Sequence, residues 1–580
     1  QASNRRNESI QALRESLRRS PGRARAHLKL GLLQLECGEQ ALGLASLEQA
    51  IRLLDDTDPV LQRGTAATQA AVSLINAERM DAGVALLKAI AAQRPDEPHV
   101  QMNAGYALAK ASHHEQAVGY YRRAMQIDPT SSDALIGAAN GLINAGLQDQ
   151  GMALYQVALD DPVHQRKAIS AYLMALLYQP LVSAEDKAAA HQHWSALLID
   201  DSSGDSMDDS IDGPPAARPS PISGSLRVAY ITPDASANHP VAQFMAEVFK
   251  AHAGMGIEQH LYWNADVQPK QLDWVDPAVH QRVVFDDDDR TLRDQIRTDR
   301  IDLVIDLAGH TRANRLALFA RGIGVPSASF IGYPHSTGLQ GMAYLIADPV
   351  VCPPSSVHLC SETVVRLPDC FLCFAPSDQM PLPKQNRRAG PVVFGSLNHL
   401  PKLGSSTLEL WASVLRAVPH SRLLLKCGPF AETRVRDRFE RRLAEFGVDA
   451  ERIELQGPEP FAKAMRAYDQ IDIALDPLPY NGGTTSAHAL WMGVPVITWL
   501  GGNFCGRMGA SMNAAAGQQE NTAISAEQYV ARAVELAASP DQLREARMVR
   551  HEQVRQSRLC DLERYAQALA DRFITMANSR

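Results

Sequence analysis

The 580-residue sequence lacks an apolar run of membrane-spanning length, a long basic run and a G-x-G-x-x-G fingerprint. The first absence argues against a transmembrane protein. The net charge of −8 and the pI near 6.2 argue against a general nucleic-acid binder. The missing fingerprint lowers the odds of a dinucleotide-dependent dehydrogenase.

Cysteine is also sparse, with eight residues scattered through the chain. Cys370 and Cys373 form a lone C-x-x-C with no second pair at zinc spacing, which favours a buried thiol pair over metal or redox chemistry. We therefore expect a reducing, cytoplasmic location and no bound metal or cofactor. The first residues lack the apolar core of a secretory signal. The sequence starts at Gln1 rather than at a methionine, which leaves a longer natural N-terminus open.

The first 200 residues contain an internal repeat. Gly64, Pro98 and Ser132 begin units that are 34 residues apart, and Tyr121 and Tyr155 occupy equivalent positions in two of them. This period and pattern resemble the tetratricopeptide repeat, whose helix pairs stack into a superhelix with a concave binding surface. A generic helical bundle is the alternative, but it would not keep a fixed 34-residue phase. Residues 1–199 are thus predicted to form a repeat domain, and the acidic, Pro-rich residues 200–225 a flexible linker.

Strand-like and helix-like segments alternate from Leu226 onward, which predicts mostly parallel α/β sheets. Ligands of such sheets collect at the carboxyl ends of the strands. Three predicted loops at that edge each carry a histidine, namely His239, His310 and His335. One loop histidine is usually only solvated, but three at the same edge indicate a cleft.

Residues Asp476 to Thr485 read Asp-Pro-Leu-Pro-Tyr-Asn-Gly-Gly-Thr-Thr between an apolar strand and a helix. Gly482 and Gly483 allow the backbone to approach a ligand closely. Thr484 and Thr485 fall where the free amides of a new helix point outward, which is a site for phosphate. The alternative is an ordinary strand–helix turn whose threonines only cap the helix. Local sequence alone does not decide between them.

Two Rossmann-like units with a cleft between them describe a nucleotide-sugar glycosyltransferase of the GT-B type. At this point the sequence resembles the O-GlcNAc transferase family (glycosyltransferase family 41), together with its plant relative SPINDLY and bacterial homologues. Tetratricopeptide repeats directly upstream belong to the same arrangement. The matching stretches are Asn238–Pro240, Gly309–Thr311, Gly332–Pro334, Ser336–Gly338, Phe394–Lys402, Asp476–Thr485, Gly493–Pro495, and Arg507 with Ser511.

The resemblance implies a division of the α/β region. It comprises an N-terminal Rossmann-like catalytic lobe over residues 226–385, a C-terminal nucleotide-sugar-binding lobe over 386–540 and C-terminal helices over 541–580. It also implies an inverting, metal-independent transfer of a sugar from a nucleotide diphosphate to a Ser or Thr hydroxyl of a polypeptide held by the repeats. A homo-oligomer is a further possibility.

The resemblance also implies roles for individual residues. Lys402 falls on a lysine that contacts the diphosphate, and His239 on an active-site histidine considered as general base. Asp306 is a second candidate base, for which a helix or loop cap is the alternative. The expected nucleotide-sugar-binding residues are Asn398, His399, Tyr480, Gly482, Gly483, Thr484, Thr485, His488 and Arg507. The expected acceptor or cleft residues are His310, Thr311, Pro334, His335 and Thr337.

Two departures from the family pattern leave the donor open. Gly483 stands where the motif often has histidine, and His488 stands where the O-GlcNAc enzymes have a ribose-binding acid. UDP-GlcNAc is the expected donor, and GDP-fucose and UDP-glucose are the alternatives. The asparagine ladder of the repeat groove is nearly absent, since Asn103 alone lies at a comparable place. A repeat scaffold without catalytic activity is the alternative of a different class. It is disfavoured because His239, Lys402 and both threonines occur together.

Overall fold

The computed structural model describes residues 2–37, 39–53, 65–76, 79–198, 225–265, 267, 272, 274–285, 287–376, 380–385 and 390–579. Apart from Ser225, the predicted linker lies outside the described residues. The chain divides into two compact units, one of residues 1–168 with 431–435 and one of residues 169–430 with 436–580. The predicted repeat domain ran to residue 199, whereas the first unit ends at Ala168. No helix in the described ranges is long and apolar enough to span a membrane.

The first unit is built from paired helices. Its second helices begin at Met80, His114 and Gln148, so consecutive starts are 34 residues apart, and the predicted period is confirmed. The helices are Ala2–Arg19, Ala24–Glu36, Gln40–Leu53, Thr65–Asn76, Met80–Gln93, Pro98–Lys110, His114–Ile127, Ser132–Asn144 and Gln148–Asp160; the next one, Pro162–Leu176, contains the boundary between the units.

Close packing of these helices depends on small residues around one aromatic ring. A Cβ added at Gly105 or Gly137 would lie 2.9 or 2.7 Å from Cε1 of Tyr121. Ala104 and Ala117 are fully buried beside them. Any larger side chain at these glycines would overlap the ring, which explains why small residues and one aromatic recur in the repeat.

The first sheet of the second unit has seven parallel strands in the order β3-β2-β1-β4-β5-β6-β7. The strands are β1 (Leu226–Thr232), β2 (Ile257–Trp263), β3 (His280–Val283), β4 (Leu303–Asp306), β5 (Ser327–Ser329), β6 (Tyr344–Ala347) and β7 (Thr363–Arg366). The sequence did not predict β3 and β7. Both are edge strands with exposed or half-buried residues, so neither shows the apolar run that marked the others.

The second sheet has six parallel strands in the order β10-β9-β8-β11-β12-β13. They are β8 (Val393–Ser396), β9 (Arg422–Lys426), β10 (Ile453–Gln456), β11 (Ile473–Leu475), β12 (Val496–Trp499) and β13 (Thr522–Ala523). The strand order reverses between β8 and β11, and between β1 and β4 in the first sheet. Such switch points open a crevice at the carboxyl ends of the strands. The predicted fold class, a helical repeat followed by two Rossmann-like sheets, is confirmed.

Helices cover both sheets, and the last one returns to the first sheet. Leu569 and Phe573 of that helix pack in one core with Tyr230 of β1 and Phe249. The helices of the second unit are Ala184–Ser195, Pro240–His252, Asp289–Thr298, Leu316–Ala320, Ser405–Ala417, Thr433–Glu445 (whose first residues belong to the first unit), Phe461–Met465, Thr484–Trp491, Met508–Ala515, Ala526–Ala537, Pro540–Glu545, Arg547–Arg555 and Leu562–Asn578.

Because Phe573 is fully buried, Phe573→Ala should lower the free energy of unfolding of the second unit by about 3–5 kcal/mol. Its neighbour Ile574 is 47% exposed, so Ile574→Ala is the matched control and should change stability little. Scanning calorimetry of the full chain checks both. Equal effects of the two substitutions would contradict the packing of this helix on the first sheet.

Candidate active site

The loop after β11 is organised by the carboxylate of Asp476, which is 1% exposed. One oxygen accepts hydrogen bonds from the Gly482 amide at 2.6 Å and the Ser486 hydroxyl at 3.0 Å. The other accepts from the Thr498 hydroxyl at 2.7 Å. Burial raises the pKa of Asp476 to about 6, and the hydrogen bonds oppose that rise. The carboxylate thus ties the loop to the following helix and to β12.

The two glycines of this loop have different surroundings. A Cβ on Gly482 would lie 2.2 Å from Ser486 Oγ, whereas a Cβ on Gly483 would meet no atom within 4 Å. Gly483 precedes the helix Thr484–Trp491, and no side-chain hydrogen bond caps that helix. Thr484 and Thr485 are half-buried and therefore reachable. The first amides of the helix are left for a ligand, which favours the phosphate interpretation over the capping alternative.

Lys402 follows β8, the strand next to β11. Its Nζ donates to the Asn481 carbonyl at 2.7 Å and lies 4.1 Å from the ring centroid of Tyr480. Burial lowers the pKa of Lys402 to about 8, and the charge of Asp476 opposes that fall. The structure therefore brings the predicted lysine to the same loop as the predicted phosphate-binding helix.

Asn398 connects the two loops of the second sheet. Its side-chain oxygen accepts from the Thr485 hydroxyl at 2.9 Å, and its Nδ2 donates to Ser396 Oγ at 3.1 Å. His399 beside it is exposed. Asn398 thus fixes the position of one threonine, while the Thr484 hydroxyl makes no hydrogen bond to any described residue.

His239 lies in the loop after β1 and precedes the helix Pro240–His252. Its Nδ1 accepts from the Val241 amide at 3.4 Å, and its Nε2 lies 3.4 Å from a carboxylate oxygen of Asp234. Burial lowers the pKa of His239 to about 4 and raises that of Asp234 to about 6. His239 is therefore neutral at pH 7. Asp234 was not predicted from the sequence, although its place two residues after β1 was a signal.

Asp306, the second candidate base, has the geometry of the alternative role, a loop cap. It is fully buried at the end of β4, and its two oxygens accept from the amides of Ala308 at 3.1 Å and Gly309 at 2.8 Å. Burial raises its pKa to about 6. A carboxylate engaged in this way caps a turn.

The structure places His310 and His335, two of the predicted acceptor or cleft residues, beneath a helix. His310 is 1% exposed, and its Nε2 lies 2.7 Å from the Thr337 carbonyl. The His335 ring stacks on His191 of the helix Ala184–Ser195 with centroids 4.2 Å apart. Gly338 leaves the space for this contact, because a Cβ there would lie 2.2 Å from the His191 carbonyl oxygen. A helix therefore occupies this edge of the sheet.

The other three predicted cleft residues share this environment. Pro334 is buried, and the Thr337 hydroxyl donates to Glu362 at 2.5 Å. Thr311 is half-buried, and its Oγ1 has no hydrogen-bond partner among the described residues. Of these three, Thr337 is thus engaged by the protein itself.

His488 and Arg507 are both engaged by the protein itself. His488 Nε2 lies 2.7 Å from Gln243 Oε1, and burial lowers the pKa of His488 to about 3. Arg507 donates through Nε to the Gly501 carbonyl at 2.8 Å and through a terminal nitrogen to the Val350 carbonyl at 3.2 Å. His488 thus links the helix Thr484–Trp491 to the helix Pro240–His252 as a neutral ring, and Arg507 links the loops after β12 and β6 as a cation.

A cavity of about 190 Å³ adjoins His488. Gln243 lines it, together with the aromatic rings of Phe374 and Phe461, each 5.7 Å from the His488 ring. Neither phenylalanine was predicted from the sequence, because isolated aromatic residues carry no spacing signal. The cavity offers flat apolar surfaces beside polar groups, as small-molecule sites do.

Glu258, His260 and His280 form the one group in the described ranges whose ligand atoms lie close enough for a metal ion. It lies on β2 and β3, at the edge of the first sheet and away from the switch point. Glu258 is already paired with Arg227 at 3.1 Å. This group therefore contributes nothing to the site around Lys402.

A comparison with protein-family models decides the family. The model described as "Glycosyl transferase family 41" matches residues 175–381 and 377–569. The chain belongs to this family. The matched range begins within the second structural unit and includes both sheets and the helix Ala184–Ser195.

Named relatives agree with this placement. The chain is 37% identical over 303 residues to "Probable UDP-N-acetylglucosamine--peptide N-acetylglucosaminyltransferase SPINDLY" of Petunia hybrida, covering 51% of this chain and 32% of that protein. It is 33% identical over 362 residues to the Arabidopsis thaliana SPINDLY, covering 60% and 39%. The chain thus spans about a third of the length of these relatives.

A solved structure matches over most of the chain. It is that of a mutant of the Thermobaculum terrenum O-GlcNAc transferase, with 28% identity, a TM-score of 0.80, and coverage of 90% of this chain and 99% of that one. The helical repeats and the two sheets therefore occur together in a related bacterial protein.

The two adjacent glycines allow a matched test of the loop. Gly482→Ala should lower the melting temperature, because its methyl group would overlap Ser486 and disturb the Asp476 hydrogen bonds at a cost of about 1–3 kcal/mol. Gly483→Ala should have a smaller effect because its Cβ enters open space. Thermal unfolding of both variants checks this, and the reverse order would contradict the described loop.

Proposed function

We propose that this chain is an inverting, metal-independent protein O-glycosyltransferase that moves a sugar from a nucleoside diphosphate to a Ser or Thr hydroxyl of a polypeptide. One observation carries the proposal: Lys402 is hydrogen-bonded to Asn481 in the loop that leads into the uncapped N-terminus of the helix Thr484–Trp491. Lys402 and this helix follow β8 and β11, on either side of the switch point of the second sheet. A cation and outward amides together suit a diphosphate.

The proposed donor is UDP-N-acetylglucosamine, because the SPINDLY relatives are named for that donor. Two features of this chain bear on the choice. His488 is neutral and bonded to Gln243, so no carboxylate stands at that position for the ribose. Gly483 leaves open space where a larger side chain would contact the donor. GDP-fucose and UDP-glucose are therefore the donors to compare.

His239 is the proposed proton acceptor for the attacking hydroxyl. It is unprotonated at neutral pH, since burial lowers its pKa to about 4. With Nε2 directed to Asp234, Nδ1 carries the lone pair that would take the proton. The hydrogen bond that Nδ1 accepts from the Val241 amide is long, at 3.4 Å, and it must break before Nδ1 can take a proton. Asp234 would stabilise the imidazolium that forms.

Lys402 is the proposed stabiliser of the leaving nucleoside diphosphate. Negative charge grows on the diphosphate as the bond from the sugar breaks, and a fixed ammonium group is worth most at that stage. The repeats of the first unit are proposed to bind the acceptor polypeptide. Asn103 in the helix Pro98–Lys110 is half-buried and is the one asparagine proposed to contact that chain.

Lys402→Ala should lower transfer by about 100-fold or more, because it removes charge stabilisation in the transition state. The assay offers UDP-GlcNAc, UDP-glucose and GDP-fucose in turn and scores donor hydrolysis and mass shifts on lysate proteins. Lys463→Ala is the control, since this lysine is 71% exposed and paired with Glu459. Nucleotide binding without turnover of any donor would instead support the non-catalytic scaffold.

The affinity for UDP should fall as the pH rises above about 8, because Lys402, whose pKa burial lowers to about 8, then loses its charge. The affinity falls by up to tenfold per pH unit over the range in which Lys402 is deprotonated in the free protein but still protonated in the complex. Titration calorimetry between pH 7 and 10 measures it, with uridine as the uncharged control ligand. An unchanged affinity and pH profile in Lys402→Ala would contradict the assignment.

A further inference from the structure

The helix Ala184–Ser195 turns one face toward the loops of both sheets. A Cβ on Gly502 would lie 3.4 Å from the Cβ of Ala184. His191 Nε2 lies 2.6 Å from the Tyr333 hydroxyl. Ser195 donates to the Thr337 carbonyl at 2.7 Å. The face therefore reaches the loop of the second sheet at its start and the loops of the first sheet at its end.

Lys187 lies on this face, between Ala184 and His191. It is only 2% exposed, while its neighbours Glu185 and Asp186 are exposed. Its ammonium group forms no hydrogen bond or ion pair with any described residue. Lysine is almost never buried without a partner, since an unpaired charge in the interior is costly. The arrangement calls for an anion that the described residues do not supply.

Lys426 shows how the same unit treats a buried lysine that is structural. Its side chain is 5% exposed, and its Nζ lies 2.8 Å from a carboxylate oxygen of Glu459. Lys187 has no such carboxylate among the residues that the structure describes. The two lysines are similarly buried, and they differ in that only Lys426 is paired with a carboxylate.

The loop containing Cys505 connects Lys187 with Lys402. The Cys505 carbonyl accepts from the Asn481 amide at 2.9 Å, and the Asn481 carbonyl accepts from Lys402 at 2.7 Å. Burial raises the pKa of the Cys505 thiol to about 11, and the charges of Lys187 and Lys402 both oppose the rise. Gly502 of the same loop lies against Ala184, one helical turn before Lys187, so this loop is bordered by the helix on one side and by the Lys402 loop on the other.

A residue of the turn that precedes this helix borders the same place. The ring of Tyr178 stacks on that of Tyr480 with centroids 5.2 Å apart. Lys402 Nζ lies 4.1 Å from the centroid of the same Tyr480 ring. The segment before the linker thus contributes Tyr178 to the surroundings of Lys402.

We propose that Lys187 is a second cation of the donor site and binds, together with Lys402, the diphosphate of the nucleotide sugar. The inference rests on the proposed function and assigns a donor contact to the helical segment that precedes the α/β region. Two buried ammonium groups, one of which has no carboxylate partner among the described residues, match the charge of a diphosphate. The helix thereby makes donor binding depend on residues outside both Rossmann-like sheets.

Lys187→Met tests the proposal, with Lys187→Arg and Lys426→Met as companions. We expect Lys187→Met to weaken UDP and GDP binding at least tenfold and to leave uridine and guanosine binding unchanged. Lys187→Arg keeps the charge and should retain part of the affinity. The melting temperature of ligand-free Lys187→Met should stay the same or rise, because an unpaired buried charge is removed. Lys426→Met should lose stability and keep its diphosphate preference.

The outcomes separate the inference from the proposed function. Wild-type affinity for UDP and GDP in Lys187→Met overturns the role of Lys187 while leaving the function standing. So does a lower melting temperature with equal loss of nucleoside and nucleotide binding, which marks a structural lysine. Wild-type protein that binds neither nucleotide, nor hydrolyses any donor, overturns the proposed function and this inference with it.

Discussion

The site depends on one buried carboxylate. Asp476 holds the amide of Gly482 and the hydroxyls of Ser486 and Thr498, and so fixes the turn between β11 and the helix Thr484–Trp491. Without these hydrogen bonds the glycine-containing turn would not be fixed in the conformation that directs the first helix amides outward. The same carboxylate opposes the loss of charge on Lys402. Asp476 therefore both fixes the turn at the proposed diphosphate site and favours the charged form of Lys402.

Positive charge at this site comes from residues distant in sequence. Lys402 follows β8, and Lys187 comes from a helix that precedes the whole α/β region. Both are buried, which lowers their pKa values and makes an anionic ligand the natural complement. Buried histidines nearby are neutral and add no charge of their own, as the pKa values of about 4 for His310 and His335 show.

Sequence patterns predicted the parts of the fold that follow from local periodicity. The buried strands and the Gly-Gly-Thr-Thr turn each have a signal within a few residues, and the helical repeat has one in its fixed 34-residue period. The edge strand β3 and the return of Phe573 to the first sheet had none, because both depend on long-range packing. The histidines illustrate the limit: His239 remains near the switch point, but His310 and His335 are covered by a helix that lies 115 or more residues earlier in the chain. Lys187 carried no motif, and only its burial without a partner among the described residues distinguishes it.

A crystal structure of the protein with UDP or GDP tests the central claim most directly. The account predicts diphosphate oxygens within hydrogen-bond distance of the Lys402 ammonium group and of the first amides of the helix Thr484–Trp491, at about 2.7–3.2 Å. A nucleotide bound elsewhere, with Lys402 still bonded to the Asn481 carbonyl and no diphosphate at the helix, would contradict it.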